Sequence, residues 1–391
     1  MITNGIFLDA CLRKPTSRTP VWYMRQAGGD LPYYRKLRET YDLMTVTTTP
    51  ELAAAVAAEP VRAFGVDAAV LFADIMLLPM AMGVKLHLDE NIGPIIHSPI
   101  CSSSDIEALE DIHSDTQFDF LRDTIGILKS NLTVPVIGFS GGPFTLASYL
   151  IEGKPTRDFV KTKALMHEHP DIWRLLMGKL TRAIIRYLEI QVRAGVDALQ
   201  LFDSWAGYLS REEYAQYVLP STQMIFTTSN EGGEQMSSFA FRPSDDVAKV
   251  ECHAALPRDS ANLRAHSMPR RLAAGSFTSL EKTHVPRIHF ATNTEHIIDL
   301  LAPLPCDVLS VDWRMSLDRT WKIVGEAKAL QGNLDPKILL TDISTIEQEV
   351  DRIFAEVDHR PGFIFNLGHR MISGTPHAHV RALTDYVHKH T

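Results

Sequence analysis

Cysteine is scarce in this 391-residue chain, with four residues set far apart at Cys11, Cys101, Cys252 and Cys306. They make no CxxC pair, and Cys252-His253 has no second pair to complete a zinc site. No metal site is expected. Scattered cysteines in a chain this long suit a reducing compartment, so a cytoplasmic location is expected. No apolar run approaches the length of a membrane span. Met1–Lys14 carries no basic segment followed by an apolar stretch, so no secretory signal is expected. Positive charge is also short: 39 Lys+Arg face 47 Asp+Glu, for a formal net charge of -8. A general nucleic-acid binder shows a basic field, so no nucleic-acid partner is expected. The familiar catalytic loops are missing too. There is no Walker loop, no G-x-S-x-G elbow, and no G-x-G-x-x-G after the first candidate strand.

What is present is ample apolar material. Hydrophobic residues make up 45% and charged residues 22%, which excludes disorder of the whole chain. A short repeat points to the architecture. Val66-Asp67-Ala68-Ala69-Val70-Leu71-Phe72 is echoed by Val196-Asp197-Ala198-Leu199-Gln200-Leu201-Phe202, and more weakly by Cys306-Asp307-Val308-Leu309-Ser310-Val311-Asp312. Gly65 and Gly195 precede the first two copies and suit helix C′ positions. Each copy runs into an apolar stretch that reads as a strand buried on both faces.

Candidate strands of this kind lie near Val21–Met24, Ala68–Phe72, Val134–Phe139, Ala198–Phe202, Arg287–Phe290, Val308–Val311, Ala329–Gln331 and Gly362–Asn366. Helical segments separate them. Thr49-Pro50-Glu51 reads as a helix start, Ser210 with Glu213 as a capping box, and Asp171–Arg193 as a long amphipathic run. About eight βα units predict a single-domain (β/α)8 TIM barrel over residues 1–391 rather than an open sheet. Residues 227–284 are poor in periodicity and read as a long insertion, largely exposed and partly disordered.

A barrel of this type carries its site at the C-terminal ends of its strands. There the chain places Arg25, Asp74, Ser140-Gly141-Gly142-Pro143 with Tyr149 beyond, Asp203-Ser204-Trp205, Asp312-Trp313-Arg314, and His369-Arg370. Gly141-Gly142-Pro143 reads as either a tight turn or a weak phosphate cradle. Arginines suit bidentate recognition of carboxylates. The ring therefore fits an anionic, carboxylate-rich ligand and acid–base chemistry without a cofactor.

Longer motifs carry a family resemblance. They are Pro20-Val21-Trp22-Tyr23-Met24-Arg25-Gln26-Ala27-Gly28, Gly138-Phe139-Ser140-Gly141-Gly142-Pro143-Phe144-Thr145-Leu146-Ala147-Ser148-Tyr149, Gln200-Leu201-Phe202-Asp203-Ser204-Trp205-Ala206-Gly207, Gln331-Gly332-Asn333-Leu334-Asp335-Pro336 and Phe365-Asn366-Leu367-Gly368-His369. Together they resemble the uroporphyrinogen decarboxylase family from about Thr19 to Lys389. The resemblance implies a homodimeric barrel that turns uroporphyrinogen into coproporphyrinogen in haem biosynthesis, with no metal or organic cofactor. It implies catalytic roles for Asp74 and Arg25. It implies substrate binding by Arg25, Asp74, Tyr149, Ser204 and His369, joined here by Arg370. Ile75, Met76, Leu77 and Leu78 read as either an apolar wall under the rings or core packing.

The chain departs from the family pattern at its mouth. Gly29 stands where the family continues with arginine, Arg370 where it has glycine, and Ala291-Thr292-Asn293-Thr294 where it has a glycine-rich turn. Three readings stay open: Arg370 restores the missing guanidinium, the activity is impaired or shifted, or the chain is an inactive porphyrin-binding paralogue. A superfamily methyltransferase is a further alternative. Those enzymes hold zinc through His-x-Cys, and His289-Phe290-Ala291 stands where that motif would lie.

Overall fold

In the computed structural model, residues 2–29, 31–89, 92–228 and 284–390 are described. The stretch read as an insertion, 227–284, lies almost wholly outside the described residues, as does Cys252-His253. The strands are β1 (Ala69–Val70), β2 (Leu86–Asp89), β3 (Gly93–Ile96), β4 (Val136–Gly141), β5 (Ala198–Phe202), β6 (Arg287–Phe290), β7 (Val308–Ser310), β8 (Ala329–Leu334) and β9 (Phe363–Leu367). Seven of them form one parallel sheet in the order β1-β4-β5-β6-β7-β8-β9, with helices between successive strands. β4, β6, β7, β8 and β9 are buried along their whole length, as expected of parallel strands covered on both faces.

Local sequence explains the helices that space these strands. Pro50–Phe64 starts with Pro at its first position and stops at Gly65, whose φ of 72° only glycine adopts without cost. Thr49 precedes it, but its side chain makes no capping bond. Pro170–Ala194 buries Trp173, Met177, Leu180, Ile184 and Leu188 at helical spacing and ends at Gly195. Ser210 and Glu213 form the expected capping box, each side chain bonded to the other's backbone N–H.

Two features differ from the sequence-based expectation. The stretch Val21–Met24 makes a single parallel bridge, Val21 to Phe365, rather than a full strand. β2 and β3 form an antiparallel hairpin that was not expected. Its signal was legible in the alternation Lys85-Leu86-His87-Leu88-Asp89.

The sheet curls so that β9 and the residues just before β1 both bond to the Pro20–Val21 segment. Phe365 N–H donates to Pro20 O at 2.9 Å on the β9 side, and Asp67 N–H donates to Val21 O at 2.7 Å just before β1. The Asp67 carboxylate is fully buried and fixes this join. It accepts bonds from Val21 N–H (2.9 Å), Arg18 Nη1 (2.9 Å) and Asn4 Nδ2 (3.0 Å), and pairs with His388 Nε2 at 2.8 Å. A second buried network crosses the interior. Trp22 Nε1 donates to Gln331 Oε1 at 2.8 Å, and Gln331 Nε2 donates to Ser310 Oγ (2.9 Å) and Gln200 Oε1 (3.1 Å). Buried polar pairings of this kind select one register over its neighbours, although Gln200 Nε2 is left without a protein partner.

Burial pushes the Asp67 carboxyl up, but the bonds from His388, Arg18 and the Val21 amide outweigh it and hold it at about 2. The free carboxylate lies near 3.9. Asp67 therefore contributes stability that is present above about pH 4 and lost as pH falls through about 2. Asp67→Asn should cost about 3 kcal/mol at pH 7, since it leaves charged partners without their anion. Urea unfolding should show the gap to wild type narrowing between pH 4 and pH 2. A gap that stays constant over that range would show that the charge is not what matters.

Candidate active site

Arg25 follows the Val21 bridge directly. Its backbone sits in the left-handed region at φ 57°, followed by Gly28 at 86° and Gly29 at 59°. An arginine held there costs of order 1 kcal/mol, which the neighbouring packing must offset. Asp74 lies just past β1, half-buried, and turns back to accept Met76 N–H at 2.8 Å. Tyr149 stands on the helix Pro143–Glu152 that follows β4. All three line one cavity of about 360 Å³, with Tyr34, Arg38, Leu43, Ile75, Leu88, Asp89, Gly93 and Pro94. Ile75 belongs to its wall, whereas Met76, Leu77 and Leu78 are buried in the core.

The remaining expected residues sit beside this cavity rather than on its lining. His369 and Arg370 follow β9, and both lie close enough to Arg25 to feel its charge. Ser204 follows β5. Its carbonyl accepts the Thr292 hydroxyl at 2.7 Å, and the next residue, Trp205, stacks on Tyr149 with ring centres 4.4 Å apart.

Electrostatics assigns states to these groups. Burial and the Asp74 charge push the Tyr149 phenol up, Arg25 and Arg370 pull it down, and it settles at about 12. It is a neutral hydrogen-bond donor near pH 7. Burial first, and then the charges of Arg370 and Arg25, push His369 down to about 4. Its imidazole is neutral near pH 7, packed edge-on against Trp313 with ring centres 6.4 Å apart. Burial and the neighbouring Arg25 also lower Arg370, while Tyr149 opposes the shift. Two guanidinium groups thus lie near enough to feel each other's charge. Like charges so placed favour an anion nearby.

Arg370 does not adopt a positive φ, so replacing the family's glycine there carries no left-handed strain. At Gly29, a Cβ would meet nothing within 4 Å. The Cβ position is open, but at φ 59° a side chain there would be strained.

Other strand-end residues are structural. The fully buried Asp312 accepts Asn293 N–H at 2.7 Å and pairs with Arg314, which stacks over Trp313 at 4.1 Å. Gly141-Gly142-Pro143 is a direct junction of β4 with the helix Pro143–Glu152, Gly142 being extended, and not an open phosphate cradle. A Cβ at Gly142 would fall 2.2 Å from Asp203 Cβ, and Asp203 already occupies the helix N-terminus. Among the described residues, no group of three or more His, Cys, Asp or Glu is arranged to hold a metal ion.

Sequence reasoning missed Tyr34, Arg38, Leu88 and Asp89 as cavity residues. Two of them come with the β2–β3 hairpin, and nothing local marks Tyr34 or Arg38 as facing the mouth.

Comparison with known proteins decides the family. The family described as uroporphyrinogen decarboxylase (URO-D) matches residues 3–254 and 261–390. The chain belongs to the uroporphyrinogen decarboxylase family. A uroporphyrinogen decarboxylase of Carboxydothermus hydrogenoformans is 38% identical over 99% of this chain and 96% of that protein. One of Geobacillus kaustophilus is 39% identical over 99% and 98%. Among solved structures, a methyltransferase from Methanosarcina mazei shares the fold, with a TM-score of 0.73 at 17% identity over 100% of this chain and 99% of that one. A B12-independent methionine synthase from Shewanella sp. W3-18-1 matches more loosely, with a TM-score of 0.51 at 9% identity over 95% of each chain. At such identities these two likenesses show shared fold alone. The family's decarboxylase members, not the methyltransferases, are the close relatives.

The state of His369 is directly measurable. Its ring resonances should titrate near pH 4. Arg370→Gly should move that midpoint upward, because a neighbouring positive charge is removed. A wild-type midpoint near 6.5, unmoved by the substitution, would place Arg370 away from the mouth.

Proposed function

We propose that this chain decarboxylates the four acetate side chains of uroporphyrinogen, giving coproporphyrinogen in haem biosynthesis. The observation that carries the reading is Arg25, Asp74 and Tyr149 lining one cavity. They do so in a chain 38–39% identical over nearly its full length to enzymes of that name.

The chemistry follows from the groups present. Breaking the acetate C–CO2 bond leaves an electron pair that needs an acceptor. Protonating the adjacent pyrrole carbon turns the ring into that acceptor. The pair moves into the cationic ring as carbon dioxide leaves, giving an exocyclic methylene. A proton added to that carbon completes the methyl group, and loss of the first proton from the ring carbon restores the pyrrole. The Asp74 carboxylate accepts the pyrrole N–H groups and stabilises the positive charge as it develops. Arg25 anchors a substrate carboxylate and positions the proton donor. Its guanidinium is too weak an acid to be the main donor itself. The neutral Tyr149 phenol, the Ser204 hydroxyl and the neutral His369 ring give hydrogen bonds that fix the macrocycle. Arg370 supplies the second guanidinium that Gly29 lacks. Ile75 forms apolar wall. The reading invokes no metal or organic cofactor.

The same reading takes the curled sheet as a closed (β/α)8 barrel, with Val21 as the strand between β9 and β1. Its support is the pair of backbone contacts on either side of Val21. It also takes residues 1–391 as one domain with 227–284 as an insertion, acting as a cytoplasmic homodimer. Those points rest on the sequence and the family.

Incubation with uroporphyrinogen should release carbon dioxide and yield porphyrinogens with fewer carboxylates. Asp74→Asn should lower kcat by about 100-fold or more, the scale of losing one preorganised electrostatic contact. Arg370→Gly should raise KM by about ten-fold with a smaller change in kcat, since an anchoring charge acts on bound substrate and transition state alike. A folded wild type without turnover would refute the reading, and an Arg370→Gly variant with unchanged KM would refute compensation at the mouth.

A further inference from the structure

Asp203 and Thr145 are among the most deeply buried polar side chains next to the cavity, and the proposed chemistry uses neither. Asp203 is fully buried and Thr145 is 2% exposed. Asp203 Oδ1 accepts two bonds from one residue, Thr145 N–H at 2.8 Å and Thr145 Oγ1–H at 2.9 Å. The same Thr145 oxygen then accepts Trp205 N–H at 3.2 Å. A hydroxyl is required for this, because it donates and accepts at once. Thr145 N–H lies in the first turn of the helix Pro143–Glu152, where amides lack helical partners and an anion is favoured.

The surroundings make this contact rigid. Asp203 N–H donates to Phe290 O at 2.8 Å, which ties it to β6. Gly142 N–H donates to Phe202 O at 2.7 Å, and the missing Cβ of Gly142 is what allows Asp203 so close. Four residues beyond Thr145, on the same face of that helix, is Tyr149. Immediately after Asp203 come Ser204 and Trp205, and the Trp205 ring stacks on Tyr149 at 4.4 Å with 32° between planes. One threonine hydroxyl thus sits at the base of two segments that meet again at the cavity.

We infer that Thr145 and Asp203 are positioning residues for the reaction, a buried clamp that holds the Ser204–Trp205 turn against the helix carrying Tyr149. The inference rests on the decarboxylase reading of the site. Neither residue reaches the cavity, so the clamp acts through where Tyr149 and Ser204 stand. The other Asp203 oxygen, Oδ2, is buried without a protein partner. Burial pushes the carboxyl up and the two threonine bonds pull it back, to about 6. The carboxyl is therefore retained at a site where burial works against it, which a purely apolar join would avoid.

Thr145→Val keeps the shape and removes the hydroxyl, and Thr145→Ser restores it. Thr222→Val is the control, since Thr222 is fully buried and its hydroxyl donates to a helix carbonyl, Val218 O at 3.4 Å, and does not bond the Ser204–Trp205 turn. Steady-state kinetics with uroporphyrinogen, urea unfolding and amide hydrogen exchange are measured on each full-length variant. Thr145→Val should lose roughly 10- to 100-fold in kcat/KM, the scale of displacing a site group by about 1 Å. Thr145→Ser should recover most of that loss. Thr222→Val should lose stability without a matching kinetic loss. Trp205 and Thr145 amides should exchange faster in Thr145→Val and not in Thr145→Ser. Wild-type kinetics in Thr145→Val, equal impairment in Thr145→Ser, or unchanged exchange in Thr145→Val would each overturn the clamp. Absence of turnover in the wild type would instead count against the decarboxylase reading, and the exchange measurement would still decide whether the hydroxyl holds the two segments together.

Discussion

One buried carboxylate joins the beginning and the end of this chain. Asp67 binds Asn4 and Arg18 from the N-terminal segment, the Val21 amide beside β9, and His388 from the last helix. A charge with no exposure is costly unless it is fully paired, so these partners must assemble together or not at all. Their assembly sets Val21 between β9 and the residues just before β1. Four residues later the chain delivers Arg25 to the mouth. The position of the first proposed anchoring group is therefore a consequence of how the ends of the chain are tied.

The mouth then follows from parallel topology. Every strand of the sheet runs the same way, so the residues after β1, β5 and β9 gather at one end. Asp74, Ser204 and His369-Arg370 converge there from distant parts of the sequence. Locally, Arg25 lines the cavity with Tyr149, neutral near pH 7, while Arg370 and the neutral His369 lie near enough to feel the charge of Arg25. Neutral donors beside fixed cations suit a polycarboxylate, because binding needs no proton exchange with solvent.

Much of the fold was readable in advance. Seven of the eight strand positions expected from apolar runs lie in the sheet, because doubly buried parallel strands leave an uninterrupted apolar signature. The positive-φ glycines at Gly65 and Gly195 marked helix ends for a reason internal to one residue. The Val21–Met24 stretch was less faithful. Its residues are apolar enough for a strand, but Met24 N–H turns to the Asn366 side chain and the backbone enters the Arg25 turn after one bridge. The hairpin was missed because its alternation is short. Arg38 and Tyr34 were missed because their helix shows no pattern pointing them at a distant cavity.

The sequence by itself determined the parallel α/β architecture, the family, and a set of candidate residues at the strand ends. These are written in local periodicity and in contiguous motifs, which need no partner to be read. Tertiary structure alone decided how those residues divide. Arg25, Asp74 and Tyr149 share a cavity, whereas Asp203 and Asp312, equally placed at strand ends, turn inward to hold a helix N-terminus and a loop amide. An aspartate at a strand end looks the same in one dimension in either role. Which role it takes depends on whether a donor stands within hydrogen-bond reach, and only the packing of distant segments sets that distance.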